Sequence, residues 1–169
     1  MPTFFHTHAK VLHNMHIVLF EPEIPPNTGN IARLCAATTT ELHLIEPIGF
    51  SLEDKYLKRA GLDYWPHVRV SVWPDFAHYR LEAGRDKRLI ATSSRQGKLL
   101  HNFSFTPHDA IIFGPETRGL PAEILAEVGA CVRIPIWGEV RSLNLATAAG
   151  IVLYQAMASA HIFDSVPIE

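Results

Sequence analysis

The stretch Ile111-Ile112-Phe113-Gly114-Pro115-Glu116-Thr117-Arg118-Gly119-Leu120-Pro121 sets a carboxylate and a guanidinium between two glycines, directly after an apolar run. The run reads as a short buried strand. Loops at the carboxyl ends of such strands have free backbone groups, and α/β chains place ligand chemistry there. Gly114 lets the backbone approach a ligand closely. Pro115 stiffens the exit from the strand, and Leu120-Pro121 reads as the start of a helix. Two other stretches are comparably polar. In Pro25-Pro26-Asn27-Thr28-Gly29-Asn30-Ile31-Ala32-Arg33, the spacing puts Asn30 and Arg33 on one helix face. In Ile134-Pro135-Ile136-Trp137-Gly138-Glu139-Val140-Arg141-Ser142-Leu143-Asn144-Leu145, Ser142 is the expected N-cap and Asn144 falls in the first turn, where backbone N–H groups are free. Taken singly, each stretch has a plain reading: Asn27 or Thr28 as a helix cap, Arg33 as a surface charge, Glu116 with Arg118 as a local ion pair. Together they point to one ligand site built from the later strands.

Those loops need a scaffold. Apolar runs at His16–Phe20, Leu42–Ile45, Val68–Val72, Arg88–Ser93, Ala110–Phe113 and Cys131–Ile136 are predicted strands. Helical patterns fall between them at Asn30–Thr39, Asp54–Ala60 and Pro74–Ala83, and a long helix is expected over Ser142–Phe163. Strands alternating with helices predict an α/β fold with a mostly parallel sheet flanked by helices. The last helix is about as long as a bilayer span. Its Ala and Ser content, with Thr147, Gln155 and His161, marks it instead as a helix buried on most sides. Small residues at Ala146, Ala149, Gly150, Ala156 and Ala160 would let a second subunit pack closely, so a homodimer is expected.

Composition narrows the classes. The 169 residues suffice for one domain, here assigned to 15–169, with 1–14 read as a flexible extension lacking a secretion signal. A net charge of −2 requires any nucleic-acid partner to meet a local basic face. Cys35 and Cys131 form no CxxC pair and read as two buried thiols in a reducing cytosol, hence a cytoplasmic protein. Ten histidines form no HExxH pattern, and no metal site is assigned. There is no GxGxxG after the first strand, no P-loop and no GxSxG elbow, which disfavours the common nucleotide sites and a serine hydrolase.

The three loops, in this order, resemble the three motifs of the SPOUT (SpoU–TrmD) RNA methyltransferase superfamily. Phe20-Glu21-Pro22-Glu23-Ile24-Pro25-Pro26-Asn27-Thr28-Gly29-Asn30, Glu46-Pro47-Ile48-Gly49-Phe50 and Arg59-Ala60-Gly61-Leu62-Asp63-Tyr64 resemble its small single-domain branch, which methylates the ribose 2′-hydroxyl at the tRNA wobble position. The resemblance implies a C-terminal trefoil knot, S-adenosylmethionine as methyl donor with S-adenosylhomocysteine as product, no metal, a homodimer, no membrane, and the tRNA anticodon stem-loop as partner. It implies that Thr92, Gly114, Ile134, Ser142, Leu143 and Asn144 contact the cofactor. Thr92 stands where close relatives commonly have leucine.

Arg33 is the catalytic arginine by resemblance. Because arginine stays protonated, the reading adopted is that it fixes a phosphate and stabilises the forming alkoxide while Asn30 orients the hydroxyl. Glu116 is expected to hold Arg33 or to receive the proton. RNA-binding candidates are Arg118 and Arg141 beside the motif loops, Tyr154 by resemblance, and more weakly Lys55, Lys58, Arg59, Arg95 and Lys98. Two alternatives stay open: the same chemistry on a ribosomal RNA loop, or a cofactor-binding RNA-binding module without catalysis.

Overall fold

The computed structural model describes residues 13–51 and 67–165. The helix expected at 54–60, and Lys55, Lys58 and Arg59, lie outside the described residues. The elements, in chain order, are β1 (His16–Phe20), α1 (Pro25–Thr38), β2 (Glu41–Ile45), β3 (Val70–Trp73), α2 (Phe76–Leu81), β4 (Arg88–Thr92), β5 (Lys98–Leu99), β6 (Asp109–Phe113), α3 (Ala122–Val128), β7 (Cys131–Arg133) and α4 (Leu145–Ser159). Seven strands form one sheet in the order β3-β2-β1-β6-β4-β7-β5, every pair parallel. This is the α/β arrangement expected from the alternation of strands and helices. The two-residue edge strand β5 was absent from the sequence reading because two residues carry no periodicity.

Alternation along the strands sends side chains to two cores. Ile17, Leu19, Leu42, Leu44, Ile111 and Phe113 pack on one face with residues of α1 and α4. Val18, Phe20, Ile45, Ala110 and Ile112 pack on the other with residues of α2 and α3. The central strands β1 and β6 are buried at every position, which is why they read as continuous apolar runs.

Several boundaries move. α1 begins at Pro25, not Asn30, because prolines at its first two positions are tolerated where no intrahelical N–H is needed. Asn27 and Thr28 are therefore inside the first turn, and Ile24 is the N-cap. α4 runs over Leu145–Ser159, shorter than 142–163, and its cap is Asn144 rather than Ser142: the Asn144 side chain accepts from Ala146 N at 2.9 Å and Thr147 N at 3.2 Å. Strand β7 ends at Arg133, α2 spans only 76–81, and β3 lies at 70–73. His13, assigned to the extension, is buried and bonds Thr38 O at 2.9 Å, and Asn14 N donates to Pro107 O. Cys35 is buried but Cys131 only half so, and both are free thiols. Among the described residues no helix is long and apolar enough to cross a membrane.

At the amino-terminal ends of β1 and β2, His16 pairs in register with Glu41, and His43 follows two residues on. Both imidazole Nε2 atoms lie 3.7 Å from Glu41 Oε2, and Arg69 holds the other carboxylate oxygen at 2.9 Å. The trio is spaced like metal ligands. Its hydrogen bonds argue otherwise. Trp73 Nε1 can only donate, and it lies 3.0 Å from His43 Nδ1. His43 must then carry its proton on Nε2, which leaves no lone pair facing the centre. Tyr79 Oη bonds His16 Nδ1 at 3.1 Å, while His43 Nε2 is buried with no hydrogen-bond partner among the described residues.

Burial and mutual repulsion lower the pKa of His16 to about 3, and burial that of His43 to about 4. The unfolded chain takes up these protons near pH 6.5, so the stability they confer is full above about 7 and falls as pH drops toward 4. Each contributes a loss of about 1.4 kcal/mol per pH unit within that window. The melting temperature is expected to fall steeply between pH 7 and 5, and His43→Phe to flatten the slope; an unchanged slope in calorimetry would remove His43 from the account.

Candidate active site

β6 ends at Phe113, and the next residue cannot carry a side chain. A Cβ on Gly114 would sit 2.3 Å from Leu120 N and 2.4 Å from Gly119 C. The 114–120 loop folds back on its own start, closed by Gly119 N donating to Pro115 O at 2.9 Å, with Gly119 at φ 74°. Leu120 is buried in the second core and anchors the return.

This fold-back aims Glu116 at the start of α1. Its carboxylate accepts from Glu23 N at 2.9 Å, Ile24 N at 3.2 Å and Asn27 Nδ2 at 3.1 Å. Glu23 answers in the other direction, accepting from Thr117 N at 3.0 Å and Thr117 Oγ1 at 2.9 Å. Arg118 pairs with Glu21. Asn27 is 5 % exposed, and its Oδ1 accepts from Asn144 Nδ2 at 2.9 Å. One relay thus runs from the loop after β6, through the first turn of α1, to the cap of α4. Sequence reasoning missed Asn27, which it took for a helix cap. Its burial, the feature that marks it, comes from α4 folding over it.

The end of β4 supplies the remaining wall. Thr92 Oγ1 donates to Ile112 O at 3.0 Å, so the side chain is turned toward the neighbouring strand. Ser93 Oγ accepts from Arg95 N and Gln96 N, tightening the turn that follows.

Between these walls lies a cavity of about 640 Å³, within the size range of small-molecule sites, roughly 300–1,000 Å³. The six expected cofactor contacts Thr92, Gly114, Ile134, Ser142, Leu143 and Asn144 all line it. So do Glu116, Arg118, Arg141 and Arg95. Asn30, Arg33 and Tyr154 do not: the first two are exposed on α1, and Tyr154 is half exposed on α4 with its ring 5.7 Å from that of Phe163. Lys98, on edge strand β5, is also outside the cavity lining. Glu116 lines the cavity with three N–H donors on its oxygens, and none of them comes from Arg33.

A parallel sheet covered on both faces, with a cavity where four strand-end loops converge, defines an α/β ligand-binding domain. The model of the SpoU rRNA Methylase family matches residues 14–154, and the chain belongs to that family. The tRNA (cytidine(34)-2′-O)-methyltransferase of Aeromonas hydrophila subsp. hydrophila is 48 % identical over 145 residues, covering 84 % of this chain and 92 % of its own. A solved structure concerned with 2-OH methylation of C/U34 on tRNA superposes with a TM-score of 0.84 at 48 % identity, over 89 % of this chain and 98 % of the other. The SpoU methyltransferase AviRb from Streptomyces viridochromogenes, in complex with the cofactor AdoMet, superposes with a TM-score of 0.75 at 25 % identity, over 86 % of this chain and 60 % of its own.

Because Glu116 and Asn27 join three segments, truncating either leaves buried polar groups unpaired. Asn27→Ala and Glu116→Gln are each expected to lower unfolding free energy by about 1–3 kcal/mol in urea titrations. Wild-type stability in both would mean that the relay does not hold the loops.

Proposed function

We propose that this chain transfers a methyl group from S-adenosylmethionine to the ribose 2′-hydroxyl of the wobble cytidine or uridine in the tRNA anticodon loop. The observation that carries the reading is the joining of the three motif loops around one cavity, in a chain 48 % identical over most of its length to a tRNA (cytidine(34)-2′-O)-methyltransferase. The cavity fits the cofactor in kind. Leu120, Leu125, Ile134, Ile136 and Val152 provide apolar surface for a flat base, and the glycine at 114 leaves main chain accessible. When bound, S-adenosylmethionine supplies an electrophilic methyl group on a positively charged sulfur.

The chain's own residues hold the reactants. Asn27, Glu116 and Asn144 keep the three loops in one geometry, and such positioning is worth roughly 7–11 kcal/mol at best in bringing a hydroxyl to an electrophile. Arg33 binds a phosphate beside the target nucleotide and stabilises negative charge on the ribose oxygen, with Asn30 orienting the hydroxyl. Arg141 holds the RNA at the cavity, Arg118 joins it by exchanging its Glu21 partner for a phosphate, and Tyr154 adds a contact. Glu116 is a positioning residue in this account.

The enzyme works as a cytoplasmic homodimer. Support comes from α4, where Ile151 and Tyr154 are exposed and a Cβ on Gly150 would meet nothing within 4 Å, and from Phe163 just beyond its end, also exposed. α1 packs beside α4, so a second copy seated there lies close to the helix that carries Asn30 and Arg33. The 114–121 and 134–144 segments are read as the crossing segments of a trefoil knot, which the fold-back at Gly114 supports.

Purified protein with labelled cofactor and total tRNA, followed by nucleoside mapping, is expected to yield 2′-O-methylcytidine or 2′-O-methyluridine at the wobble position. Methyl groups found only in ribosomal RNA, or in no RNA, would overturn the reading. Arg33→Lys is expected to lower turnover roughly hundredfold with cofactor affinity unchanged, since an ammonium lacks the planar fork; near-full turnover would exclude bidentate recognition. Sedimentation should give a dimer at micromolar concentration, and a stable monomer would count against the α4 interface.

A further inference from the structure

Trp137 is 90 % exposed, far more than any other large apolar side chain among the described residues. It stands on the segment between β7 and α4. Ile134, Ile136 and Arg141, before and after it in the same segment, line the cavity, while Trp137 itself is outside the lining. Val140, on the same segment, is also exposed. Exposed aromatic surface of this kind gains from being covered, because an indole buries some 150–250 Å² when it finds a partner.

Charge indicates what covers it. The chain is acidic overall, yet Arg95, Arg118 and Arg141 all line this cavity. Arg118 is neutralised by Glu21. The guanidinium groups of Arg95 and Arg141 have no ion pair or hydrogen bond among the described residues. The one carboxylate in the lining, Glu116, is turned to α1 and occupied. An exposed indole on the segment that carries Arg141, with Arg95 and Arg141 unpaired in the cavity lining, matches an unpaired nucleotide, whose base offers a π-face and whose phosphates offer negative charge.

We infer that Trp137 is the stacking platform for an unpaired base of the RNA substrate at the mouth of the cavity, with Arg95 and Arg141 on the flanking phosphates. This rests on the proposed activity for the identity of the RNA, but the stacking itself depends only on a single-stranded loop. It makes Trp137 a substrate-binding residue and the rim a reader of unpaired loops. A duplex keeps its bases stacked inside and cannot present one to the indole.

The test compares wild type with Trp137→Ala and Trp137→Phe. In steady-state methylation, Trp137→Ala is expected to raise KM for tRNA roughly tenfold, with kcat and cofactor affinity within about twofold, and Trp137→Phe to recover most of the loss. Sedimentation should be the same for all three. Independently of catalysis, a short anticodon stem-loop should quench wild-type tryptophan fluorescence, a duplex of matching composition should quench it weakly, and the response should vanish in Trp137→Phe, which retains Trp65 and Trp73. An unchanged tRNA KM in Trp137→Ala, or quenching that survives Trp137→Phe, overturns the inference. Dissociation of a dimer by Trp137→Ala also overturns it and assigns the indole to a protein contact. If wild type methylates no tRNA, the proposed activity fails, while the fluorescence titration still decides the stacking.

Discussion

The Glu116 carboxylate is the point on which the site depends. It accepts three N–H groups from the segment that opens α1, a helix with no side-chain cap and no acidic residue in its own first turn. A negative charge brought there from 90 residues away does what a local cap would do, satisfying N–H groups and complementing the helix dipole. Asn27 then needs partners for both ends of its amide, because it is buried. It takes Glu116 on one side and Asn144 on the other, and Asn144 in turn caps α4. Each member is satisfied only if the other two are in place, so the three loops keep one arrangement relative to each other.

Strand order makes this possible. β6 lies between β1 and β4, and β7 lies beside β4. All run parallel, so the loops after β1, β4, β6 and β7 emerge at one edge although they come from separate parts of the chain. The clasp between Glu23 and Thr117 and the fold-back at Gly114 fill the junction between the central pair. At the opposite end, the first strands hold neutral histidines, one accepting from an indole and one sharing a hydrogen bond with a phenol, in a buried polar layer. The cavity and this buried polar layer therefore occupy different ends of the same sheet.

Much of this was legible in the chain. Continuous apolar runs at 16–20 and 110–113 mark strands buried on both faces, and they mark them because burial on both sides leaves no room for alternation. The glycine at 114 was readable as a close-approach position, and the cavity-lining residues followed from the motif resemblance. Less legible were the helix ends. Ser142 has the right chemistry for a cap, but Asn144 takes the role because only it can also reach Asn27. Tandem prolines at 25–26 read as a loop, although they sit at the positions where a helix does not use its N–H groups. The hydrogen-bond partners of Glu116 were illegible for the same reason: a carboxylate between glycines looks available, and its three donors come from residues 23–27.

The sequence by itself determined the α/β class, the type of the main described elements, and the three loops that meet at the cavity, because periodicity and turn residues are local properties. Only the tertiary structure decided which polar groups are spent on holding the loops and which remain for ligands. Asn27 and Glu116 are engaged in the relay and Arg118 is paired with Glu21, while Arg95 and Arg141 line the cavity without an ion pair among the described residues and Trp137 is exposed. That division follows from burial and hydrogen-bond satisfaction, which depend on what the sheet order brings alongside each residue and are absent from any stretch of sequence read alone.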